Sequence, residues 1–301
     1  MFFLIFFGAV AAWVTFFFLR IKWEEEKLDD LPNRPVFITG CDSGFGHDTA
    51  LKLLSMGMPV FAGCYTEEGL EKIEKEASNY TKGKFKAIRV DVTNDESVDR
   101  MGTWLEKEVQ PYGGLWAVIN NAGVGFNVFL DDFLKHEDYR LTMEINFYGI
   151  MRVVHRLRRA LKQRKGRLIN VTSILGRCPA AGIGPYIISK FTANAYTEVI
   201  RKELAIWGVE VIHIEPGFVK TPLTDTERIR KNNDHLWERA SPELKAEYGY
   251  EFFKKTCENQ AMMMNGLGAN HTDRVVNIYV KAVTSVNTRR RYKVGIDTNF
   301  L

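Results

Sequence analysis

The chain has 301 residues, of which 46% are hydrophobic and 26% are charged, with 24 glycines, 9 prolines and 4 cysteines. This balance excludes a disordered chain, a collagen-like repeat and a small disulfide-stapled domain. The net charge of +4, counted with neutral histidines, is too small to indicate a nucleic-acid partner. The four cysteines have no ligand spacing, so we predict no metal site.

The N-terminus is the most apolar part of the chain, since residues 2–19 contain no charged side chain. With the next four residues, the run reaches about the 20 residues that span a bilayer as a helix. No basic residue precedes the run, which disfavours a cleaved signal peptide, and its many phenylalanines suit lipid better than a protein core. We predict an uncleaved, single-pass membrane anchor over residues 1–23 and a charged linker over 24–34.

The charges that flank the apolar run indicate its orientation. Arg20 and Lys22 follow the run, and under the positive-inside rule they place the next domain in the cytosol. Glu24–Glu26 lie close by and oppose this bias. We therefore expect the folded domain to face the cytosol.

After the linker, short apolar runs alternate with segments of helical periodicity. The predicted strands are 35–39, 59–64, 84–90, 115–119, 167–172 and 209–214, and the predicted helices include 45–56, 67–77, 94–110, 139–164 and 188–207. This alternation indicates βαβ units and helices on both faces of one sheet. We predict the α/β class, with a single doubly wound parallel sheet of Rossmann type in one domain over residues 35–301.

The alternation of predicted strands and helices ends after Pro216. Residues 218–270 carry charges and scattered aromatic side chains but no clean strand. An insertion after the carboxyl end of a strand lies where open α/β sheets bind ligands. The segment is either a cap over a hydrophobic substrate or an ordinary pair of surface helices.

A glycine-rich turn joins the first predicted strand to the first predicted helix, over Thr39–Gly46. Glycines there let the backbone approach a pyrophosphate, and the helix N-terminus supplies free N–H groups and the positive end of its dipole. We predict a dinucleotide site whose first residues are Gly40, Ser43, Gly44, Phe45 and Gly46.

The position that reads the adenosine ribose follows the second strand. Cys64, Tyr65 and Thr66 stand there, with neither an acid for a 2′-hydroxyl nor a basic residue for a 2′-phosphate. The absence of a basic residue favours NAD over NADP. After the third strand, Asp91 and Val92 suit a contact with the adenine edge, or alternatively start a helix.

Three further residues form a candidate catalytic set. Ser173 follows the fifth strand, and Tyr186 and Lys190 are spaced i and i+4, which places both on one face of a helix. A lysine ammonium near a phenol favours the phenolate and lowers the tyrosine pKa. We expect Tyr186 to act as an acid/base on an alcohol oxygen, with Ser173 hydrogen-bonded to the same oxygen.

In order and spacing, these motifs resemble the short-chain dehydrogenase/reductase family. The resemblance covers most of residues 35–221 and rests on the TGxxxGxG turn, the NNAG sequence at 120–123, Ser173, the YxxxK pair and Pro216–Gly217. Residues 41–46, 113–116 and 173–177 are similar to its membrane retinol dehydrogenase and hydroxysteroid dehydrogenase branch. Pro185, directly before the tyrosine, departs from the branch pattern.

The resemblance implies further site residues. Asn146 is implied as a fourth catalytic residue that holds a relay water, Lys190 as a contact to the nicotinamide ribose, and Ser173 and Tyr186 as substrate contacts. The remaining implied cofactor contacts are Asn120, Asn121, Ala122, Gly123, Pro216, Gly217, Val219 and Thr221. The family also implies a homodimer through the long helices.

From these patterns we expect a nicotinamide-dependent oxidoreductase of the endoplasmic reticulum membrane. Its substrate is expected to be an alcohol or ketone of a small lipophilic molecule of retinol or hydroxysteroid type, with NAD favoured over NADP. Two alternatives stay open. One is an NADPH-dependent reductase of another long-chain lipid ketone, and the other is a non-catalytic nucleotide-binding scaffold.

Overall fold

The computed structural model of the chain describes residues 6–7, 13–15, 25–125, 129–219, 226–267 and 272–295. The predicted anchor lies mostly outside the described residues, as do Thr221 and parts of the predicted substrate cap. Among the described residues, no helix combines the length and the apolar character needed to cross a bilayer.

Seven strands form one sheet in which every pairing is parallel. They are β1 (Val36–Thr39), β2 (Val60–Cys64), β3 (Phe85–Arg89), β4 (Ala117–Asn120), β5 (Arg167–Val171), β6 (Glu210–Pro216) and β7 (Arg291–Val294). Their spatial order is β3-β2-β1-β4-β5-β6-β7. The chain therefore reverses its direction of travel across the sheet between β1 and β4, where doubly wound sheets bind their ligands.

Ten helices longer than one turn are described. They are α1 (Gly44–Ser55), α2 (Glu67–Ala77), α3 (Asp95–Val109), α4 (His136–Met143), α5 (Gly149–Arg164), α6 (Gly184–Ala205), α7 (Thr226–Arg239), α8 (Pro242–Tyr248), α9 (Tyr250–Leu267) and α10 (Thr272–Thr284). The predicted doubly wound parallel sheet is confirmed.

The apolar residues of the central strands alternate between the two faces of the sheet. Val36 and Ile38 pack with α1 and α10 on one face, whereas Phe37 packs with α3 and α5 on the other. This alternation is why the central strands are apolar throughout: both of their faces are buried.

The structure differs from the predicted elements at three places. The predicted helix 139–164 is divided by a π-helical turn at Glu144–Tyr148. Helix α6 begins at Gly184 rather than 188, since Pro185 occupies its first turn, where a missing N–H costs nothing. The seventh strand, β7, was not predicted, because it is a short edge strand in which arginine and lysine alternate with buried residues.

Candidate active site

The glycine turn packs directly against the residues that follow β4. Gly40 has a φ of +71°, and a Cβ there would come within 2.8 Å of the Ala122 Cα. A Cβ on Gly46 would lie 2.4 Å from the Gly40 carbonyl oxygen. Gly44, at φ +62°, has no atom within 4 Å of its Cβ position. The turn is thus closed toward the protein and open on the side where a ligand approaches.

Hydrogen bonds fix this turn to the neighbouring strand. The Thr39 hydroxyl accepts from the backbone N–H groups of Asn121 and Ala122 at 3.1 and 3.0 Å. The Asn121 amide donates to the carbonyls of Thr39 and Gly40, both at 3.0 Å, and accepts from the Tyr279 hydroxyl at 3.1 Å. Because Tyr279 belongs to α10, the C-terminal helix supports the nucleotide turn.

An acid lies beside the residues that follow β2, although it comes from the glycine turn. The Asp42 carboxylate accepts from the N–H groups of Tyr65 and Thr66 at 2.9 and 2.8 Å and from the Thr66 hydroxyl at 2.8 Å. Gly69 of α2 packs so closely that a Cβ there would lie 2.5 Å from an Asp42 carboxylate oxygen. Sequence reasoning missed Asp42 because the two segments meet only in the fold.

The structure places the Cys64 side chain in the core and off the cavity wall. Its side chain is fully buried in the core, and burial, the largest effect, raises the pKa of its thiol to about 12. Tyr65 and Thr66 line the cavity in its place. After β3, the Asp91 carboxylate accepts from the N–H and hydroxyl of Thr93 at 2.9 and 2.7 Å, and Asp91 also lies on the cavity wall.

The candidate catalytic side chains converge at the carboxyl end of β5. Ser173 follows that strand, and its hydroxyl hydrogen-bonds to Tyr186 of α6. One turn further along α6, the Lys190 ammonium donates to the Val171 carbonyl at 3.3 Å and lies 5.5 Å from the centroid of the Tyr186 ring. The structure brings all three predicted residues together.

Burial dominates the protonation of this set. It raises the pKa of Tyr186, an effect that the hydrogen bond from Ser173 opposes, and it lowers the pKa of Lys190 to about 8. The expected lowering of the Tyr186 pKa is therefore wrong for the protein without nucleotide. The reason is that a buried phenolate loses more hydration than its neighbours replace.

Asn146 lies on the π-helical turn and is fully buried. Its amide donates to the Val124 carbonyl and to the Ser189 hydroxyl, both at 2.9 Å, and accepts from the Val124 N–H at 2.8 Å. The Ser189 hydroxyl in turn donates to the Tyr186 carbonyl at 2.7 Å. Asn146 thus ties the strand end after β4 to the helix that carries Tyr186.

One cavity of about 700 Å³ joins these parts. Most of the predicted site residues line it, namely Gly40, Ser43, Gly44, Phe45, Asp91, Val92, Asn121, Ala122, Gly123, Ser173, Tyr186, Lys190, Pro216, Gly217 and Val219. Gly46, Cys64, Asn120 and Asn146 are not on its wall. The Asn120 side chain instead donates to buried Asn170 at 2.8 Å.

The wall beyond Tyr186 is apolar, and sequence reasoning named few of its residues. It contains Val124, Leu141, Ile145, Ile174, Leu175, Ile183, Phe218 and Ile229. Hydrophobic periodicity does not distinguish these positions from core, because they are apolar residues on ordinary helices and loops.

Helices α7, α8 and α9 form the predicted cap segment, and they pack on the loop before α4. Phe129, Phe133, Leu236 and Phe253 are buried together, with Trp237 and Tyr248 against them. Tyr248 donates to Asp132 at 2.5 Å, and Arg239 of α7 pairs with the buried Asp138 of α4. An aromatic cluster therefore holds the segment against the loop before α4.

Comparison with known proteins agrees with this architecture. Residues 34–232 match the family model for short chain dehydrogenases. The chain is 34% identical over 297 residues to human retinol dehydrogenase 16, covering 97% of this chain and 90% of the relative. It is also 34% identical to the cattle 17-beta-hydroxysteroid dehydrogenase type 6, covering 95% and 88% of the two chains.

A solved structure extends the likeness. The alcohol dehydrogenase of the archaeon Thermococcus sibiricus, complexed with 5-hydroxy-NADP, superimposes with a TM-score of 0.58 at 25% identity, covering 62% of this chain and 77% of that one. Fold, motif geometry and family match agree. The chain therefore belongs to the short-chain dehydrogenase family of NAD(P)-dependent oxidoreductases.

Proposed function

We propose that this protein transfers hydride between a nicotinamide dinucleotide and an alcohol or carbonyl group of a lipophilic substrate of retinol or hydroxysteroid type. The observation that carries the proposal is the meeting of Ser173, Tyr186 and Lys190 at one cavity whose far end is the glycine turn. An acid/base, an oxygen-binding hydroxyl and a phosphate cradle are the parts that this reaction requires.

The residues present fit a dinucleotide. Gly44 opens onto free space at the N-terminus of α1, which leaves room and free N–H groups for a diphosphate. At Gly123, a Cβ would lie 3.4 Å from the Lys190 ammonium and 3.3 Å from the Asn146 oxygen, so a side chain there would crowd the region between strand end and catalytic helix. The bound nicotinamide supplies hydride acceptance or donation.

The protein's own part is to position the substrate and move a proton. In oxidation, the phenolate form of Tyr186 takes the proton of the substrate alcohol and becomes the phenol, and Ser173 donates a hydrogen bond to the same substrate oxygen. Lys190, charged below pH about 8, stabilises the negative form of Tyr186. Asn146 holds α6 against the strand end after β4 and keeps this geometry.

The apolar wall supports a lipophilic substrate. Beyond Tyr186 the cavity offers Leu141, Ile145, Leu175, Ile183 and Phe218 but few polar partners. Transfer of a hydrocarbon skeleton from water to such a wall is favourable by about 25 cal/mol per Å² of apolar surface. The named relatives, a retinol dehydrogenase and a hydroxysteroid dehydrogenase, agree with this substrate class.

Replacement of the acid/base tests the proposal. Tyr186→Phe is expected to lower kcat by on the order of 10²- to 10⁴-fold on retinoid and steroid alcohols, while nucleotide binding measured by NADH fluorescence is retained. Tyr196→Phe, a partly buried tyrosine on the same helix, serves as the matched control. Full turnover by Tyr186→Phe would overturn the assignment, and NADH binding by wild type without turnover of any alcohol or ketone would favour a scaffold.

The finer cofactor preference, NAD over NADP, is supported by Asp42. A carboxylate held against the ribose-side turn repels a 2′-phosphate and accepts from a 2′-hydroxyl. Asp42→Asn is expected to lower the ratio of kcat/KM for NAD to kcat/KM for NADP. Glu71→Gln, an exposed carboxylate on α2 that does not line the cavity, controls for net charge. An unchanged ratio would contradict the role of Asp42.

A second candidate is reduction of a lipid ketone, and one observation favours it. Burial raises the pKa of Tyr186, so its hydroxyl stays protonated at neutral pH and is ready to donate to a carbonyl. Rates of alcohol oxidation with NAD and of ketone reduction with NADPH, compared in microsomes, separate the two directions. Faster NADPH-driven reduction would establish this candidate over NAD-linked oxidation.

The site of action is proposed to be the endoplasmic reticulum membrane, with the domain facing the cytosol. The apolar sequence of residues 2–19 supports this anchor. Full-length protein is expected to resist carbonate extraction from microsomes, whereas a variant with Leu4, Ile5 and Val10 all changed to Asp is expected to be released. Retention of that variant would contradict the anchor.

A homodimer is supported by an apolar stripe on α6. Ile188, Phe191 and Val199 lie on one side of this helix and are 46%, 39% and 55% exposed. Light scattering after chromatography of the full chain in detergent is expected to give the mass of a dimer, and Val199→Asp that of a monomer. A monomeric wild type would overturn this proposal.

A further inference from the structure

A closed circuit of polar side chains runs behind the loop that carries Ser173. The loop continues through a 3-10 turn, Ile174–Gly176, to Arg177. Side chains from α6, β6 and β7 connect Gly176 back to Arg177 without using the cavity. The proposed reaction assigns none of them a role.

The first link is Asn194, one turn of α6 beyond Lys190. Its amide nitrogen donates to the Gly176 carbonyl at 2.9 Å. Gly176 packs so tightly on this helix that a Cβ would lie 2.6 Å from that nitrogen and 2.8 Å from the Lys190 carbonyl oxygen. Asn194 is 8% exposed, so water does not compete for this hydrogen bond.

Asn194 is itself held by His213 of β6, which is fully buried. Since the Asn194 nitrogen is committed to Gly176, its oxygen faces the His213 Nδ1 at 3.0 Å, and Nδ1 must carry the proton. Burial, assisted by Arg291 and Arg201, lowers the pKa of His213 to about 3, so the ring is neutral with that single proton. Its unprotonated Nε2 lies 3.3 Å from a Glu198 carboxylate oxygen and makes no hydrogen bond there. The circuit therefore continues along α6 itself, from Asn194 to Glu198 one turn further on.

Ion pairs complete the circuit. Arg291 of β7 contacts Glu198 at 2.7 Å and the fully buried Glu215 at 2.6 Å. The second oxygen of Glu215 lies 3.6 Å from the Arg177 guanidinium. Arg177 directly follows Gly176, so the circuit returns to the loop where it began.

We propose that Asn194, held by His213, is a positioning residue, and that the circuit from α6 through Glu198, Arg291, Glu215 and Arg177 fixes the Ser173 loop against the helix that bears Tyr186 and Lys190. The inference rests on the proposed oxidoreductase function. The hydroxyl of Ser173 is hydrogen-bonded to Tyr186, yet the two residues belong to different elements. The circuit joins these elements at Gly176, three residues from Ser173.

We expect a shift of the Ser173 loop to lower kcat more than it weakens the binding of substrate or nucleotide. The nucleotide turn lies on the other side of β5 in the sheet order, and the apolar cavity wall does not include Asn194. A displacement of about 1 Å at the reacting group is enough to cost on the order of 10²-fold in rate. Loss of the Ser173 hydrogen bond also removes an influence that lowers the pKa of Tyr186.

Asn194→Leu, which keeps the size of the side chain and removes both hydrogen bonds, tests the inference. It is expected to lower kcat by about 10- to 100-fold while KM for substrate and nucleotide changes less than about threefold. The pH at which kcat for alcohol oxidation reaches half its maximum is expected to move upward. The control is Thr197→Val, which removes a buried hydroxyl of the same helix that lies outside the circuit.

Arg177→Met provides a second test that does not disturb the core, because Arg177 is at the exposed end of the circuit. Arg177→Met is expected to lower kcat and to move the pH profile upward, as Asn194→Leu does, but by smaller amounts. Arg177→Lys is expected to restore part of kcat. A readout independent of turnover is the titration of ¹³C-labelled Tyr186 in nucleotide-free protein, identified by comparison with Tyr186→Phe. Its pKa is expected to rise in Asn194→Leu.

The outcomes separate the two proposals. An unchanged kcat, pH profile and Tyr186 titration in both variants would overturn the positioning role. A loss of kcat in Asn194→Leu equal to that in Thr197→Val, with unmoved pH profiles, would reduce it to general stability. No turnover of any alcohol or ketone by wild type would overturn the proposed function, and the Tyr186 titration would still decide the role of the circuit.

Discussion

The two ends of the cavity are built by different means. At the nucleotide end, backbone atoms meet backbone atoms: Gly46 leaves no room for a methyl group beside Gly40, and Asn121 joins the two strand ends by hydrogen bonds. On the side of the proposed cap, packing is between aromatic rings that lie behind the cavity wall, with Phe133 in contact with Phe129, Trp237, Tyr248 and Phe253. Hydrogen bonds and glycines specify the first end, and apolar packing specifies the second.

The two kinds of packing differ in how well they tolerate substitution. A backbone-lined turn tolerates almost no substitution, since a collision with main-chain atoms has nowhere to relax. An aromatic cluster keeps its function when rings of similar volume replace one another, because dispersion and apolar burial do not depend on one partner. We therefore expect substitutions in the cap to change which substrate is accepted and to leave nucleotide binding unaffected.

The largest expected effect is at the nucleotide end. Gly46→Ala places a methyl group 2.4 Å from the Gly40 oxygen and 2.5 Å from the Asn121 amide nitrogen, so the turn must open. We expect loss of measurable NADH binding and a stability cost of about 1–3 kcal/mol. Gly102→Ala is the control, since the three atoms nearest to that Cβ all belong to the flexible Arg156 side chain. Equal nucleotide affinity of the two variants would contradict the comparison.

The next effect concerns Lys190, which lies where the two ends meet. Its pKa falls from 10.5 to about 8 on folding because the ammonium is buried, which corresponds to a cost of up to about 3 kcal/mol below pH 8. The unfolded chain binds more protons between pH 8 and 10.5, so this cost fades as pH rises through that window. Lys190→Met is expected to abolish turnover yet raise the free energy of unfolding at pH 7.

Denaturant unfolding at several pH values checks this prediction. The difference in stability between Lys190→Met and wild type is expected to be largest at pH 7 and to shrink by pH 9.5. Lys202→Met, an exposed lysine of the same helix, is expected to show no such trend. A constant difference across this range would mean that the ammonium is not desolvated.

The motif residues of the nucleotide end were predictable because neighbours along the chain carry them. Gly40, Gly44 and Gly46 share one turn, and Tyr186 and Lys190 share one helix face. Asp42 escaped prediction as a ribose-side acid because its partners Tyr65 and Thr66 are 23 and 24 residues away. Only the sheet order brings that turn beside them.

The contacts of the cap were less predictable, because their partners are even farther apart in the sequence. Tyr248 donates to Asp132 across 116 residues of sequence, and Arg239 pairs with Asp138 across 101. Aromatic residues in a helical segment indicate burial without indicating the partner. The raised pKa of Tyr186 was missed because it comes from complete burial of the phenol, which outweighs the hydrogen bond from Ser173 and which the local sequence does not reveal.

A moderate effect is expected from the centre of the cap. Phe133 is 3% exposed and contacts four rings, so Phe133→Ala removes 3–5 kcal/mol of local packing, roughly the range for such truncations. We expect hydrogen exchange to increase across residues 226–262 and KM for the lipid substrate to rise, with NADH affinity unchanged. Phe252→Ala, at an exposed ring of α9, is the control. A fall in NADH affinity would show that the two ends are coupled.

The smallest expected effect is at the ion pair that joins the cap to α4. Arg239 contacts Asp138 and donates to the Phe133 carbonyl at 3.2 Å, while Asp138 also accepts from the Lys135 N–H at 2.7 Å. Arg239→Met keeps the side-chain length and leaves Asp138 with that backbone partner, so the loss is partial. We expect KM for the substrate to rise about threefold and kcat to stay within about twofold. Arg230→Met is the control, because it removes a largely exposed arginine of the same helix that pairs with exposed Glu227. A KM change of equal size in both variants would mean that general charge, and not this ion pair, sets the position of the cap.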